Sequence, residues 1–288
     1  MNKVFRFVAM WAVIVPFAAL TAPAQSFETI DFPGSFLTVL FGGPNPQGTA
    51  VGAYIDASSD VIHGFMLRKG VFTSFDPPGS TRTTPNAISP QGTIVGGYLD
   101  ASDVEHGFVL SGGQFTTVDF PGAAGTILAG INPEGQISGQ TCDVASCDRG
   151  NTHSFVVIDG VFNKFDPPGA VSSGASMITA RGEVFGTYTE TDGVSHGYKL
   201  WHGKFTTIDF PGSTSTFVGG ANAEGDSVGE YVDTSDVGHG FLLRNGVFTS
   251  FDPPGAVETD ATGINPRGVI VGFYVGDADD VHGFIRTP

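Results

Sequence analysis

Residues 239–252 read HGFLLRNGVFTSFD, and the phrase returns throughout the chain: HGFMLRKGVFTSFD from 63, HGFVLSGGQFTTVD from 106, HSFVVIDGVFNKFD from 153, HGYKLWHGKFTTID from 196 and a shortened HGFIRTP from 282. Six of the seven histidines open a copy, and only His202 stands outside the series. At the middle of the five full copies sit Lys69-Gly70, Gly112-Gly113, Asp159-Gly160, His202-Gly203 and Asn245-Gly246. Two-residue x-Gly pairs between strand-like runs close hairpins through type I′ turns. A loop of that length fixes the register, so Arg244 faces Val247 and, counting outward, His239 faces Asp252. The same count sets His63 opposite Asp76, His106 opposite Asp119, His153 opposite Asp166 and His196 opposite Asp209.

One histidine and one aspartate are left over, His282 near the carboxyl end and Asp31 near the amino end, and they are expected to face each other. The repeat that contains them is 43 residues long, stretched in the first and third copies. Each unit offers four strand signals: a short glycine-bearing strand such as TILAGIN, a turn such as Asn132-Pro133-Glu134-Gly135, a second strand such as IVGGY, then, after an acidic loop, the two strands of the opening phrase. Six such units predict an all-β, six-bladed β-propeller of four-stranded antiparallel blades. The His282–Asp31 offset predicts that an amino-terminal strand completes the last blade, which also removes most exposed sheet edges. Forty-two glycines, 18 prolines and no sustained 3.6-residue period agree with short strands and tight turns.

The repeated phrases resemble the extracellular HAF-repeat proteins, named for a histidine-alanine-phenylalanine signature after a glycine-rich strand. The resemblance covers 27–288 through HGF four times, HSF once and HGY once, with upstream phrases such as GTIVGGYLD; glycine or serine stands where the family name has alanine. It implies export and a repeat fold, and assigns no activity.

Lys3 and Arg6 before FVAMWAVIVPFAAL, and Ala22-Pro23-Ala24 after it, read as a secretory signal over 1–24, leaving a single domain over 25–288. An uncleaved membrane anchor is the alternative, but Pro16 interrupts a run barely long enough to span. Secretion, into the periplasm or the medium, is therefore the expected location, with no membrane span after cleavage. Eleven basic against 29 acidic residues then give a net charge of −18. Such a surface repels phosphate backbones, so nucleic acid is not an expected partner. Cys142 and Cys147, close together in an exported chain, suggest a local disulfide; a two-thiolate metal site is the minor alternative.

The motif histidines sit on the third strand out from the axis, about 10 Å beyond the innermost one at roughly 4.8 Å per strand, so they cannot converge on one ion. Sixfold repetition favours a cross-strand His–Asp hydrogen bond that pins each hairpin. No residue is singled out as catalytic: a P-loop, a dinucleotide fingerprint, G-x-S-x-G and H-E-x-x-H are all missing from the sequence. Acidic loops between second and third strands carry Asp56 and Asp60, Asp100 and Asp103, Asp233 and Asp236, and Asp277, Asp279 and Asp280. They make one face acidic and form the candidate binding surface; no cofactor is expected, and Ca²⁺ is the cation that oxygen-rich loops would suit. The favoured function is a monomeric binding module for a protein, glycan or small molecule, held on the acidic face or in the central channel. A carboxylate- or Ca²⁺-dependent hydrolase or lyase on the same scaffold, and a structural envelope protein, are the alternatives.

Overall fold

The computed structural model describes residues 26–147, 151–278 and 280–288, and the expected leader, 1–24, lies outside them. Among the described residues there are twenty-four strands and no helix. They form six four-stranded antiparallel blades around an axis, a six-bladed β-propeller. The innermost strands are Ser35–Gly42, Arg82–Ile88, Gly125–Ile131, Ser172–Ile178, Ser215–Ala221 and Glu258–Ile264 in blades 1 to 6. Blades 2 to 5 are separate sheets, whereas the first and sixth are joined by one parallel pairing, Leu37 with Val281.

Chain ends meet in blade 6. Its outermost strand is Ser26–Ile30, antiparallel to Val281–Thr287 in the register Ser26↔Thr287 through Ile30↔Gly283. The seam is also tied by Thr29 to the Tyr274 hydroxyl (3.1 Å), by the Thr262 hydroxyl to the Leu40 carbonyl (2.7 Å) and by the Asn265 amide to the Pro44 carbonyl (3.1 Å). The ring needs this bridge because a blade left at three strands exposes both an edge and an apolar face.

The hairpins follow from backbone chemistry. Lys69, Asp159, His202 and Asn245 take φ of 49–52° and the glycine after each 75–77°, the left-handed pair that a type I′ turn requires. His202 is thus an exposed turn residue.

Blade packing rests on a glycine beneath an aromatic ring. In every blade the second-strand glycine lies directly opposite the aromatic residue of the HGF phrase: Gly52 and Phe65, Gly96 and Phe108, Gly139 and Phe155, Gly186 and Tyr198, Gly229 and Phe241, Gly272 and Phe284. All six rings are fully buried. A Cβ at Gly229 would overlap the Phe217 carbonyl and stand 2.9 Å from the Phe241 ring, so bare backbone is the only surface on which that ring can lie. The glycine of HGF has a different task, close approach to the next blade: a Cβ at Gly107 would come within 2.7 Å of Leu128.

Two departures from the repeat explain each other. Blade 3 has Ser154 in place of that glycine and blade 4 has Tyr198 in place of phenylalanine; the two hydroxyls lie 2.9 Å apart, fully buried, and Ser154 also meets Ser173 at 2.7 Å. Apolar clusters otherwise fill the gaps between blades, as where Val228, Leu242 and Phe251 meet Ala261, Ile264 and Phe284.

Gly229→Ala is expected to lower stability by about 2–3 kcal/mol in urea unfolding, because the methyl group meets backbone that cannot move aside. Restoring the repeat tests the serine–tyrosine pair. Ser154→Gly and Tyr198→Phe made together should cost less than the sum of the single changes by about 1 kcal/mol, and strict additivity would show that the pair is not coupled.

Candidate functional site

Two places on the ring concentrate polar chemistry, and they lie at opposite ends of the strands. At the end that carries the acidic loops, each motif histidine turns Nδ1–H to an aspartate: His63 to Asp76 at 2.7 Å, His106 to Asp119 at 2.8 Å, His153 to Asp166 at 2.9 Å, His196 to Asp209 at 3.0 Å, His239 to Asp252 at 2.9 Å and His282 to Asp31 at 2.7 Å. In four blades a loop carboxylate also approaches Nε2: Asp100, Asp143 and Asp233 at 3.6 Å, and Asp280 at 2.8 Å. In every blade but the third a second-strand tyrosine packs on the imidazole, with Tyr98 and His106 5.2 Å apart. Burial disfavours the charged ring, but the flanking carboxylates outweigh it and raise the pKa of His106, His239 and His282.

The loop acids are largely occupied with their own loops. Asp100 accepts from the Val104 and Ser102 amides, Asp233 from those of Val237 and Ser235, and Asp56 from the Ser58 hydroxyl and amide; these hydrogen bonds lower all three pKa values. Asp60, Asp103 and Asp236 are exposed turn residues with φ of 54–62°, Asp277 is exposed, and Asp279 lies outside the described residues. Among the described residues no group of three or more His, Cys, Asp or Glu side chains could hold a metal ion. Cys142 and Cys147 form a disulfide, and the Ala145 carbonyl in its loop accepts the Glu105 amide of blade 2. Arg82 opens the innermost strand of blade 2 and pairs with the buried Glu105.

The other place is the channel. Each innermost strand carries a β-bulge, and the extra residue is Phe41, Asn86, Ala129, Ser176, Gly219 or Thr262. All six line one cavity of about 540 Å³ on the axis. A bulge breaks strict alternation and adds one residue to the channel wall in each blade; at two of these positions the side chain turns to the neighbouring blade, the Asn86 amide to the Leu128 carbonyl and the Thr262 hydroxyl to the Leu40 carbonyl. The cavity opens among the turns that join first and second strands. There Asn132 reaches the Thr179 carbonyl, Asn222 that of Asn265, and Asn265 that of Pro44, linking neighbouring blades round the mouth.

Deeper in the wall the symmetry fails between blades 5 and 6. Asp260 lines the cavity, and Glu230 and Glu258 stand close enough to interact with it or with each other. Burial, then the charges of Asp260 and Glu258, push Glu230 up to about 7; burial alone raises Asp260 to about 6. Blade 2 solves a similar problem differently: Glu105 reaches over Gly97 from the third strand and meets Arg82, whereas in blade 5 Glu230 reaches over Gly238 from the second strand, and Ser215 stands where blade 2 has its arginine. Glu230 and Asp260 were missed in the sequence, although a carboxylate in the G-x-Y position of one repeat alone was a readable signal.

No family model and no curated protein matches the chain, so its likeness to HAF-repeat proteins rests on the repeats themselves. Solved structures do match. A virginiamycin B lyase from Staphylococcus aureus superposes with a TM-score of 0.53 at 13% identity, over 90% of this chain and 99% of that one. The fucose-specific lectin of Aleuria aurantia, a six-bladed β-propeller, gives 0.54 at 13% over 87% and 93%, and AofleA from Arthrobotrys oligospora gives 0.57 at 12% over 91% and 86%. The likeness is one of fold.

Stability should fall as pH rises from 6 to 8.5. Raised histidine pKa values give a contribution that is complete below about 6.5 and lost as pH climbs through the folded-state values. Glu230 and Asp260, also raised, resist ionisation in the fold and act in the same direction. Thermal midpoints across that range should decline, with a smaller decline in Glu230→Gln; a flat or rising profile would contradict both assignments.

Proposed function

We propose that the protein is an exported binding module that takes a small, largely apolar ligand in its central channel. The observation that supports this is the cavity itself, walled by all six blades and lined at the bulge positions by six different residue types. A purely structural ring has no need of that variety, and a concave apolar site with few polar groups is the usual form of a small-molecule site. A local disulfide, and the absence among the described residues of any helix long and apolar enough to cross a membrane, fit export. The folds it resembles include lectins and a lyase, so aryl glycosides belong in the first ligand panel.

The acidic loops remain a second surface for a partner or Ca²⁺. They rank below the channel because their carboxylates already hold loop amides and histidines. A carboxylate-dependent hydrolase or lyase is also weaker: such chemistry places two acids on either side of one bond, and among the described residues Asp260 is the only carboxylate lining the cavity.

Ala129→Trp tests the reading, since Ala129 lines the channel at a bulge and a larger side chain there is expected to reduce the cavity. In thermal-shift screening of neutral aromatic alcohols and aryl glycosides, a ligand present at 100 times its Kd stabilises the native protein by about 2.7 kcal/mol. The tryptophan variant should fold and lose that stabilisation. Equal stabilisation of both proteins would place binding elsewhere.

A further inference from the structure

Resting on the channel-binding reading, we propose that the ligand carries a cationic group, an ammonium or guanidinium on an apolar body, and that Asp260 receives it. The argument begins with how this protein treats its other shielded acids. Glu105 is paired with Arg82, Glu183 with Lys199 and Asp226 with Arg244, so in each case the same blade supplies the cation. Glu230 and Asp260 are the exceptions, and of the two only Asp260 lines the channel. Asp260 is part-buried in the channel wall, its carboxylate makes no hydrogen bond to any described residue, and no cation among those residues faces it.

Its charged surroundings make the exception sharper. Glu230 and Glu258 add negative charge nearby, while Arg267, the one basic residue lining the cavity, donates to the Pro46 carbonyl at the exposed rim. Three blades round the ring, Ile127 occupies the same strand position as Asp260 and offers it only hydrocarbon. A carboxylate in such a wall is costly unless it is neutralised. The fold leaves that neutralisation to whatever enters the channel. Phe41, at a bulge, and the strand residues Met177, Ile131 and Ile264 supply an apolar lining for the rest of the ligand.

The test compares two probes of nearly one shape, 1-naphthylmethylamine and 1-naphthalenemethanol, by calorimetric titration of the whole protein at pH 7.5 and pH 5. At pH 7.5 the amine should bind about tenfold more tightly than the alcohol, the scale of one charge-assisted hydrogen bond. The preference should shrink at pH 5, as Asp260 takes up its proton. Asp260→Asn should abolish it and leave alcohol binding unchanged, whereas Asp159→Asn, which removes an equal charge from an exposed hairpin tip of blade 3, should preserve it. Equal affinity for the two probes, or equal loss in the two variants, overturns the assignment to Asp260 while leaving the channel as a site. Failure of both probes to bind the folded protein overturns the channel reading as well.

Discussion

The ring exists because an aromatic side chain can lie flat only where the strand beneath it has no side chain. That condition is met six times by the second-strand glycine opposite the HGF aromatic residue, and it sets the depth to which the ring sinks against the blade. The glycines weaken each strand in isolation, and burial of the rings more than offsets that cost at about 25 cal/mol per Å² of apolar surface. Blades built this way are nearly interchangeable, so any lasting difference between them must sit where the packing does not dictate the residue.

Most of the architecture was legible for the same reason. A two-residue x-Gly loop leaves one register, and one register places each histidine against one aspartate; the leftover His282 and Asp31 then specify closure, and the structure sets them 2.7 Å apart. The channel was less legible. Its lining depends on bulges, which slip the alternation by one residue and leave no mark in a sequence where the bulged positions read Phe, Asn, Ala, Ser, Gly and Thr. Likewise Glu230 and Asp260 come together only because adjacent blades press their inner strands side by side. Their thirty-residue separation hides a contact that strand counting within one repeat cannot reveal.

Local compensation runs through the departures from symmetry. A serine in one blade meets a tyrosine hydroxyl in the next, and an arginine neutralises the glutamate that one blade buries. These pairs show how a duplicated unit drifts without losing its packing: a polar intrusion can be answered by a neighbour. The sixth blade's aspartate, like Glu230 beside it, has no such answer among the described residues, and it alone of the two lines the channel.

Circular closure also has a consequence for biosynthesis. The strand Ser26–Ile30 emerges early from the ribosome, yet the residue that pairs with Ser26 is synthesised 261 positions later. Until then its hydrogen-bonding edge and Ile30 have no home, and a polypeptide truncated in the final repeat never provides one. The propeller therefore carries its own proof of completion, since a prematurely terminated product retains a sticky strand that proteases and chaperones can recognise.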